Sequence, residues 1–302
     1  MTDFDVAIIG AGPAGLTAGL YCARYGLKTI IIEKGITGGT ATWANSIQNY
    51  PGFEDISGME LMTKFKEQAQ KAGAQIELDE VSEIKINDKI KEITLADKKI
   101  SAKTIIVSVG AKSKWLNVPG EKQYLNKGVH FCATCDGPMY NGKEVAVIGF
   151  DSRAAEEAIY LATVTKKVTL ICSKKELSAE VAKQETLKEK GVQIMLQTNV
   201  VGFEGTQMLE SIKVKTKGKE TKLSITGAFI FIGSQPNTEF IDVNKDETGR
   251  VIVNDKMETD KKGVFAAGDC IKKELNQIAT CVGEGAIAAH SAAKFIQEKE
   301  IE

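Results

Sequence analysis

The stretch DVAIIGAGPAGLTAGLYCARYGLKTIIIEK, residues 5–34, decides the fold. Its pattern predicts an apolar strand, a glycine-rich turn at residues 10–15, a helix over residues 16–25, and a second apolar strand that Glu33 closes. A GxGxxG turn between a strand and a helix, with an acidic residue about twenty positions further on, is typical of dinucleotide-binding βαβ units. The stretch therefore predicts a nucleotide-binding domain at the start of the chain.

The residue types in this turn each have a physical task. Gly10 permits the tight turn, Gly12 lets the backbone approach a pyrophosphate, and Gly15 lets the helix pack closely on the strand. The first turn of the helix offers unpaired N–H groups to the phosphates. Glu33 is placed to accept hydrogen bonds from a ribose diol.

The stretch EVAVIGFDSRAAEEAIYLA, residues 144–162, repeats this layout and leads into a second apolar strand, KKVTLIC. In this copy Asp151 stands where the second glycine of the turn is expected. The chain is therefore interpreted as a duplication of one nucleotide-binding plan, with an altered turn in the second copy.

Two segments, residues 115–120 (WLNVPG) and 234–238 (SQPNT), are interpreted as crossings between domains. After the second crossing come the strand pattern GVFAAGDC and a helix of small residues, which predict a return to the first domain. We expect an α/β fold of two Rossmann-like domains, each with three layers (ββα), the second inserted into the first. The expected bounds are residues 1–114 with 241–302 for the first domain and 115–240 for the second.

Composition narrows the class of protein. A chain of 302 residues is long enough for two domains, and no apolar run reaches the roughly 18 residues of a membrane span. The first residues, MTDFDVAIIG, enter a strand pattern without the basic region of a signal peptide, so a cytoplasmic protein without a membrane partner is expected. A net charge of -1 gives no reason to expect a nucleic-acid partner.

The cysteines indicate redox chemistry rather than a metal site. Cys132 and Cys135 form one Cys-x-x-Cys pair, and with His130 and His290 as the only histidines no metal is expected. A redox dithiol in a reducing cytosol is the stronger interpretation. The other cysteines stand apart in apolar or small-residue surroundings and are expected to be buried: Cys22, Cys172, Cys270 and Cys281.

Together the motifs resemble those of the low-molecular-weight thioredoxin reductases over nearly the whole chain. The resemblance rests on GAGPAG with Glu33, QNYPG at 48–52, CATCDG at 132–137, EEA at 156–158, the SQPNT crossing and FAAGD at 265–269. It implies a flavoprotein disulfide reductase with FAD in the first domain and the dithiol on the second, NAD(P)H-like domain. It also implies thioredoxin or a thioredoxin-like protein as acceptor, and a homodimer.

The resemblance further implies which residues contact FAD. Asp269 is expected at the ribityl or phosphate region of the cofactor. Five residues are expected near the isoalloxazine ring: Gly39, Thr40, Asn49, Gln277 and Ile278. The remaining expected contacts are Gly10, Gly12, Pro13, Ala14, Gly15, Glu33, Lys34, Val81, Gly110, Ala111 and Gly268.

The same resemblance assigns roles around the dithiol. Cys135 is expected beside the flavin, and Cys132 is expected to attack the disulfide of the acceptor through a mixed disulfide. Asp136 follows directly and is placed to act as general acid or base for the thiols. His130 is interpreted as a packing residue rather than as a catalytic base.

Two departures from the family concern the second nucleotide-binding unit. Asp151 puts negative charge where the backbone should meet a pyrophosphate, and two unit charges about 4 Å apart repel by about 4 kcal/mol at an effective dielectric constant of about 20. Arg153 is a candidate to soften this repulsion. After the next strand, the family's His-Arg-Arg-x-x-x-Arg run for the NADPH 2′-phosphate is replaced by CSKKELS at residues 172–178, whose lysines cannot offer bidentate forks.

A flavin and a dithiol without a nicotinamide pocket need another electron donor. The chain most resembles the ferredoxin-dependent flavin thioredoxin reductases, which share this loss, so ferredoxin is the expected donor. Transfer from a ferredoxin at about -400 mV to a thioredoxin at about -270 mV is downhill by roughly 6 kcal/mol for two electrons. Because ferredoxins are generally acidic, Lys272 and Lys273, expected near the flavin, are candidates for a docking face.

Other interpretations remain open at this point. The protein could be a weak NADPH enzyme or prefer NADH, although NADH would still meet Asp151. Reduced deazaflavin could replace ferredoxin, or the dithiol could run in reverse as an oxidase with oxygen as acceptor. From another class, the chain could be a non-catalytic flavoprotein redox sensor, which the intact CATCD sequence argues against.

Overall fold

The computed structural model describes residues 2–44, 46–87 and 89–301, and its contacts divide the chain into two units. Unit 1 comprises the chain up to Lys112 together with the segment from Gln235 onward, and unit 2 is Ser113–Ser234. The second unit is therefore inserted into the first. The assignment of a nucleotide to each domain stays a prediction at this stage.

Seventeen strands and six α-helices are described within those ranges. The chain up to the first crossing contains β1 (Phe4–Ile9), α1 (Pro13–Arg24), β2 (Thr29–Glu33), α2 (Gly58–Lys71), β3 (Gln75–Leu78), β4 (Glu83–Ile86), β5 (Lys91–Thr94), β6 (Lys99–Val107) and β7 (Ala111–Ser113). Unit 2 contains β8 (Val129–His130), α3 (Ala133–Asp136), β9 (Glu144–Gly149), α4 (Ser152–Val164), β10 (Lys167–Ile171), α5 (Val181–Glu189), β11 (Gln193–Met195), β12 (Thr198–Gly205), β13 (Leu209–Thr216), β14 (Lys219–Ser224) and β15 (Gly227–Phe231). The last segment contains β16 (Ser234–Pro236), β17 (Val264–Ala266) and α6 (Ile278–Ile301), and short 3-10 helices lie at Gly39–Trp43 and Gly137–Tyr140.

The sheet of unit 1 has the order β3-β2-β1-β6-β5-β4, and β17 also pairs with β6. Pairing is parallel from β3 to β6 and between β6 and β17, with Ile8 opposite both Ile31 and Ile106, whereas β5 and β4 are antiparallel. Since β17 follows unit 2 in the chain, its pairing with β6 is the return to the first sheet that the late strand pattern predicts.

The strands of this sheet are continuous apolar runs because both faces are buried. Val6 and Ile8 join a core cluster with residues of α1, α2 and α6. Ala7 and Ile9 join the opposite cluster, which includes residues of β4 and β5 and Val251. Helices on one face and strands on the other give the three-layer arrangement expected from the sequence.

Unit 2 repeats this plan. Its parallel sheet has the order β11-β10-β9-β15-β8. Helix α4 covers one face through Ala154, Ala158 and Leu161, and the antiparallel strands β12-β13-β14 cover the other through Phe203 and Ile212. The structure thus confirms an α/β fold with two Rossmann-like βαβ units, β1-α1-β2 and β9-α4-β10.

Within the described part of the chain, no helix has the length and apolar character that crossing a membrane requires.

Candidate functional site

Two glycines of the first turn leave no room for any other residue. Gly10 has φ +103°, and a Cβ on it would overlap the carbonyl oxygen of Ser108. A Cβ on Gly15 would overlap the carbonyl oxygen of Gly10 and lie 2.6 Å from Ser108 Oγ. The Ser108 hydroxyl donates to the carbonyl oxygens of Ile9 (3.0 Å) and Gly10 (2.9 Å). The turn is therefore fixed against the end of β6.

Gly12 leaves the start of α1 open. It immediately precedes the helix, no side chain caps the N–H groups there, and no atom lies within 4 Å of the position that a Cβ would take. Pro13 begins the helix, where its missing N–H costs no hydrogen bond. An uncapped helix start with open space in front of it is the arrangement that binds a phosphate group.

The carboxylate of Glu33 is fixed at the end of β2. Its Oε2 accepts a hydrogen bond from the Ala11 N–H (2.7 Å), and its Oε1 accepts one from the Gly35 N–H (2.8 Å). Glu33 therefore lies beside the glycine turn, as the ribose interpretation requires. The neighbouring Lys34 forms a surface ion pair with Glu80 at 2.6 Å.

Residues from distant parts of unit 1 meet at this turn. A Cβ on Gly39 would lie 3.6 Å from the Cα of Gly12, and a Cβ on Gly268 would lie 3.0 Å from the Cβ of Ala14. A Cβ on Gly285 would overlap the Ala14 carbonyl oxygen, so α6 packs directly against the start of α1. The structure thus brings Gly39 and Gly268 to the glycine turn.

A second group of predicted contacts lies at the start of α6. Asn49 Nδ2 donates to Gln277 Oε1 at 3.1 Å, and Ile278 is the first residue of the helix. Next to them, Asn276 Oδ1 is buried without a hydrogen-bond partner in the described residues. A buried acceptor without a donor is energetically unfavourable, so a bound group that donates a hydrogen bond to this oxygen would be stabilised here.

The structure does not join the remaining predicted contacts into one cluster. Val81 packs against the core cluster that contains Ile9. Gly110, with φ +63°, follows β6, and Ala111 begins β7. Thr40 is an exposed residue of the first 3-10 helix. Contact of these residues with FAD stays a prediction.

The features of unit 1 fit FAD. The Gly10–Gly15 turn and the open start of α1 match a pyrophosphate, the fixed Glu33 carboxylate matches a ribose, and Asn276 Oδ1 supplies a buried acceptor.

A partly buried cluster of ion pairs beside Gly268 was missed from the sequence. Lys273, whose side chain is 10% exposed, pairs with Glu284 Oε2 (2.8 Å) and Asp269 Oδ1 (3.3 Å), and Glu284 also accepts from the Gly268 N–H. Burial alone would lower the pKa of Lys273, but Cys281, Asp269 and Glu284 outweigh it and the pKa is raised. The sequence feature that could have indicated this cluster is Glu284, a single charged residue among the small and apolar residues of VGEGAIAA.

This cluster corrects the proposed docking role of Lys273. Its side chain is 10% exposed and its ammonium group is paired with two carboxylates, so little of its charge is available to an acidic protein at the surface. Its charge instead holds Asp269, a predicted FAD contact, and fixes Glu284 under the Gly268 backbone. Lys272 remains exposed.

In the second glycine turn, at residues 149–154, a side chain caps the helix start, whereas the helix start after the first turn has no such cap. Asp151 immediately precedes α4, and its Oδ1 accepts the Ala154 N–H at 3.0 Å, so its carboxylate caps the helix. Arg153 lies 3.9 Å from Glu157 and over the Phe231 ring, and among the described residues no ion pair joins Arg153 to Asp151. Arg153 is therefore not paired with Asp151 in this part of the chain, and the softening of the Asp151 charge by Arg153 stays a prediction.

An open surface pocket lies near the end of β10. Four lysines line it, together with Ser173, Gln197, Asn199 and Gly218: Lys174, Lys175, Lys215 and Lys217. Within the described ranges none of these four pairs with a carboxylate, and Lys174 lies over the Phe150 ring at 5.5 Å. The pocket therefore presents unneutralised positive charge to an anionic group.

The dithiol is present as a disulfide between Cys132 and Cys135, whose Cα atoms are 5.4 Å apart. Cys132 precedes the short helix α3, and its sulfur accepts the Cys135 N–H at 3.2 Å. Cys135 is exposed and Cys132 is half-buried. The four other cysteines are buried free thiols, as predicted, and burial raises the pKa of both Cys22 and Cys270 to about 12.

His130 lies two residues before Cys132 in the sequence and is 2% exposed. Its ring stacks on Phe229 with centroids 5.2 Å apart, which agrees with a packing role. It also makes polar contacts that the sequence did not indicate: Nε2 lies 2.7 Å from Tyr140 Oη, and Nδ1 lies 3.2 Å from Asp136 Oδ2. In the described residues, no group of three metal-ligating side chains is assembled here or elsewhere.

Comparison with known proteins places these features in a family. The family described as pyridine nucleotide-disulphide oxidoreductase matches residues 4–285. The thioredoxin reductase of Treponema pallidum (strain Nichols) is 39% identical over 300 residues, covering 98% of each chain. The thioredoxin reductase of Bacillus subtilis (strain 168) is 37% identical over 302 residues, covering 98% of this chain and 95% of its own. The crystal structure of thioredoxin reductase from Streptococcus pyogenes MGAS5005 matches with a TM-score of 0.92 at 35% identity, covering 98% of each chain.

Proposed function

The chain belongs to the pyridine nucleotide-disulphide oxidoreductases, among the FAD-dependent thioredoxin reductases, and we propose that it takes its electrons from reduced ferredoxin rather than from NADPH. The acceptor in this proposal is thioredoxin or a thioredoxin-like protein. The reaction moves two electrons through FAD and the Cys132–Cys135 pair to the acceptor disulfide.

The observation that carries the choice of donor is the Asp151 cap. The two duplicated turns differ at the helix start, since α1 starts without a side-chain cap whereas the Asp151 carboxylate at the start of α4 accepts a hydrogen bond from the Ala154 N–H. A pyrophosphate at α4 would have to displace a cap that contributes about 1 kcal/mol. It would also meet a like charge whose repulsion is about 4 kcal/mol at close approach. The sum disfavours any nicotinamide dinucleotide at this turn.

The residues of the chain divide the chemistry between them. FAD, when bound, supplies the electrons that reduce the disulfide. The Gly10–Gly15 turn and Glu33 hold the cofactor, and Cys135 receives the electrons. Cys132 then attacks the acceptor disulfide as a thiolate, forming a mixed disulfide that Cys135 resolves. Asp136 moves the proton that the thiols exchange.

The lysine pocket favours a second candidate, an enzyme that still accepts NADPH. Lys174 and Lys175 follow β10, where the family's arginine run holds the 2′-phosphate, and Lys215 and Lys217 add charge to the same pocket. The four lysines would attract an acidic ferredoxin as well as a phosphate, because both are anionic. The Asp151 cap favours ferredoxin over NADPH as donor, because it opposes only the binding of a pyrophosphate at this turn.

A donor test separates these candidates directly. The purified protein with FAD is mixed anaerobically with NADPH, with NADH, or with ferredoxin reduced by an independent system, and the flavin absorbance near 450 nm is followed while thioredoxin thiols are counted. Ferredoxin is expected to bleach the flavin and produce reduced thioredoxin, whereas both nicotinamides leave the flavin oxidised over minutes. Bleaching by NADPH within seconds would establish the second candidate instead.

We also propose that the protein is a cytoplasmic homodimer. Within unit 1, α1 and α6 pack together and present exposed apolar side chains, Tyr21, Tyr25 and Ile287, and the Tyr25 hydroxyl lies 3.0 Å from His290 Nδ1. Such a face on packed helices is suited to a second copy. Four unpaired buried thiols fit a reducing compartment. Light scattering after size exclusion should give twice 32.6 kDa, and Tyr25→Glu with Ile287→Glu should give the monomer mass.

A further inference from the structure

A row of three polar side chains in contact with one another flanks the Cys132–Cys135 pair in the sequence. Asp136 ends α3 one residue after Cys135, His130 ends β8, and Tyr140 ends the second 3-10 helix. The imidazole lies between the other two, with Nε2 2.7 Å from Tyr140 Oη and Nδ1 3.2 Å from Asp136 Oδ2. His130 and Tyr140 are buried, whereas the Asp136 side chain is 26% exposed, so the row leads from two buried rings to a partly exposed carboxylate.

The neighbours of His130 fix which nitrogen carries its proton. Burial, and next the charge of Asp136, raise the pKa of Tyr140 to about 12, so its phenol keeps its proton and can donate it to Nε2. With Nε2 accepting from Tyr140, Nδ1 carries the ring N–H that faces the Asp136 carboxylate. Nδ1 is within ion-pair distance of Oδ2 but is not aligned as a hydrogen bond, and it has no other partner among the described residues.

The surroundings of the imidazole contain few other charged groups. Phe229 of β15 stacks on one face of the ring with an interplanar angle of 26°. Lys143 lies 5.5 Å from the centroid of the Tyr140 ring, on the far member of the row. Asp136 and Tyr140 are therefore the titratable groups that contact His130 from the elements packed against it.

We propose that His130 is a positioning residue that presents Nδ1–H to Asp136 and holds this carboxylate ready to move a proton for the Cys132–Cys135 dithiol. The inference rests on the proposed function, because it assigns a part in thiol–disulfide exchange. Tyr140 and Phe229 fix the imidazole, and its Nδ1 lies 3.2 Å from the carboxylate oxygen that it would orient. This is the arrangement by which a catalytic acid or base is held by a second polar group.

In the complete exchange, two electrons and two protons pass from the dithiol to the acceptor. The Cys132 thiolate attacks one acceptor sulfur, so the mixed disulfide forms, the acceptor disulfide breaks, and the first leaving thiolate takes the proton that Cys132 has lost. Cys135 then loses its proton to water and attacks the Cys132 sulfur, which restores the enzyme disulfide. Asp136 takes up a proton from water and gives it to the second leaving thiolate, so its carboxyl is needed only where that thiolate requires a proton.

The test compares acceptors whose leaving thiols differ in their need for a proton. Enzyme reduced in advance with dithiothreitol and freed of it is mixed with thioredoxin, with hydroxyethyl disulfide, or with the aromatic disulfide DTNB, and the single-turnover rate is measured. The aromatic thiolate leaves without help, whereas the alkyl thiolates need a proton. No electron donor takes part, so the result does not depend on ferredoxin.

Two isosteric variants separate positioning from packing. In His130→Asn the amide nitrogen takes the place of Nδ1, whereas in His130→Gln it takes the place of Nε2. We expect His130→Gln to slow both alkyl disulfides about tenfold, with the DTNB rate unchanged within about twofold, and Asp136→Asn to show the same pattern at about a hundredfold. His130→Asn should stay within about threefold of wild type for all three acceptors. The melting temperature and the flavin absorbance of each variant are measured to show that it folds like the wild type.

Each pattern of rates has one meaning. Equal slowing of alkyl and aromatic disulfides by His130→Gln, or no slowing at all, overturns the positioning role. Loss of selectivity in Asp136→Asn overturns it as well, because no carboxylate would then need positioning. If wild-type enzyme fails to reduce thioredoxin but reduces hydroxyethyl disulfide, the proposed function fails, while the ratio of alkyl to aromatic rates still decides the role of His130.

Discussion

Replacing Cys135 with serine is expected to lower turnover of thioredoxin by about a thousandfold or more, because a hydroxyl cannot accept electrons as a disulfide partner. Cys132 keeps its thiol in this variant and can still attack thioredoxin, so a stable mixed disulfide should accumulate. Cys135 is exposed and bonded to Cys132, which is the arrangement that the proposed exchange requires. The measurement is steady-state turnover with ferredoxin, followed by non-reducing electrophoresis of the trapped complex.

The matched control is Cys172→Ser. Cys172 is a buried free thiol of the same unit whose sulfur donates to the carbonyl oxygens of Lys174 and Glu176, contacts that a hydroxyl can reproduce. This variant should keep turnover within about twofold. Cys132→Ser should lose turnover without trapping thioredoxin. Trapping by Cys132→Ser and not by Cys135→Ser would reverse the roles assigned to the two sulfurs.

Opening the second turn is expected to create NADPH binding. Asp151→Gly combined with Lys174→Arg and Lys175→Arg removes the carboxylate and supplies guanidinium forks for a 2′-phosphate. Removing a repulsion of about 4 kcal/mol corresponds to roughly a thousandfold gain in affinity. Loss of the cap should cost only a few tenths of a kcal/mol, because glycine is tolerated at that position. The dissociation constant of NADPH is measured by fluorescence titration, and flavin reduction by absorbance near 450 nm.

Testing the substitutions separately shows how much of the gain in NADPH affinity comes from removing the Asp151 charge and how much comes from adding the arginine side chains. Asp151→Asn keeps a hydrogen-bonding cap but removes the charge, so it should fall between wild type and the triple variant for NADPH and for NADH alike. The two arginine substitutions alone should improve NADPH and leave NADH unchanged, since only NADPH carries the 2′-phosphate. Wild-type protein that already binds NADPH as tightly as the triple variant would contradict the importance given to Asp151.

The parts of the fold that follow from local sequence were predictable. The GAGPAG turn specifies its own strand, turn and helix, because Gly10 and Gly15 permit contacts that no other residue can make. The return of the chain through FAAGD was also visible, and β17 pairs with β6 as that return requires. The ββα arrangement anticipated a second β layer in unit 2, but its strands β12, β13 and β14 were not assigned individually, since they carry many charged residues.

The site was predictable only where its chemistry is carried by neighbours in the sequence. Cys132, Cys135 and Asp136 lie within five residues of one another, and their motif identified them. Lys273 was assigned to the wrong environment, because its partner Glu284 lies eleven residues away and only the approach of α6 brings the two together. Asp151 was recognised as an obstacle to a phosphate, but its hydrogen bond to Ala154 required the structure.

The open start of α1 has a consequence for the supply of active protein. Without a capping side chain at Gly12, the N–H groups of that helix gain a strong partner only when the cofactor's phosphates arrive. Cofactor at about a thousand times its dissociation constant would stabilise the folded state by about 4 kcal/mol, a large fraction of the total for a typical domain. In a cell short of riboflavin, newly made chains would therefore be exposed to proteolysis at unit 1, whereas the corresponding helix start of unit 2 carries its own cap in Asp151. The abundance of the enzyme would thus follow vitamin supply even at a constant rate of synthesis.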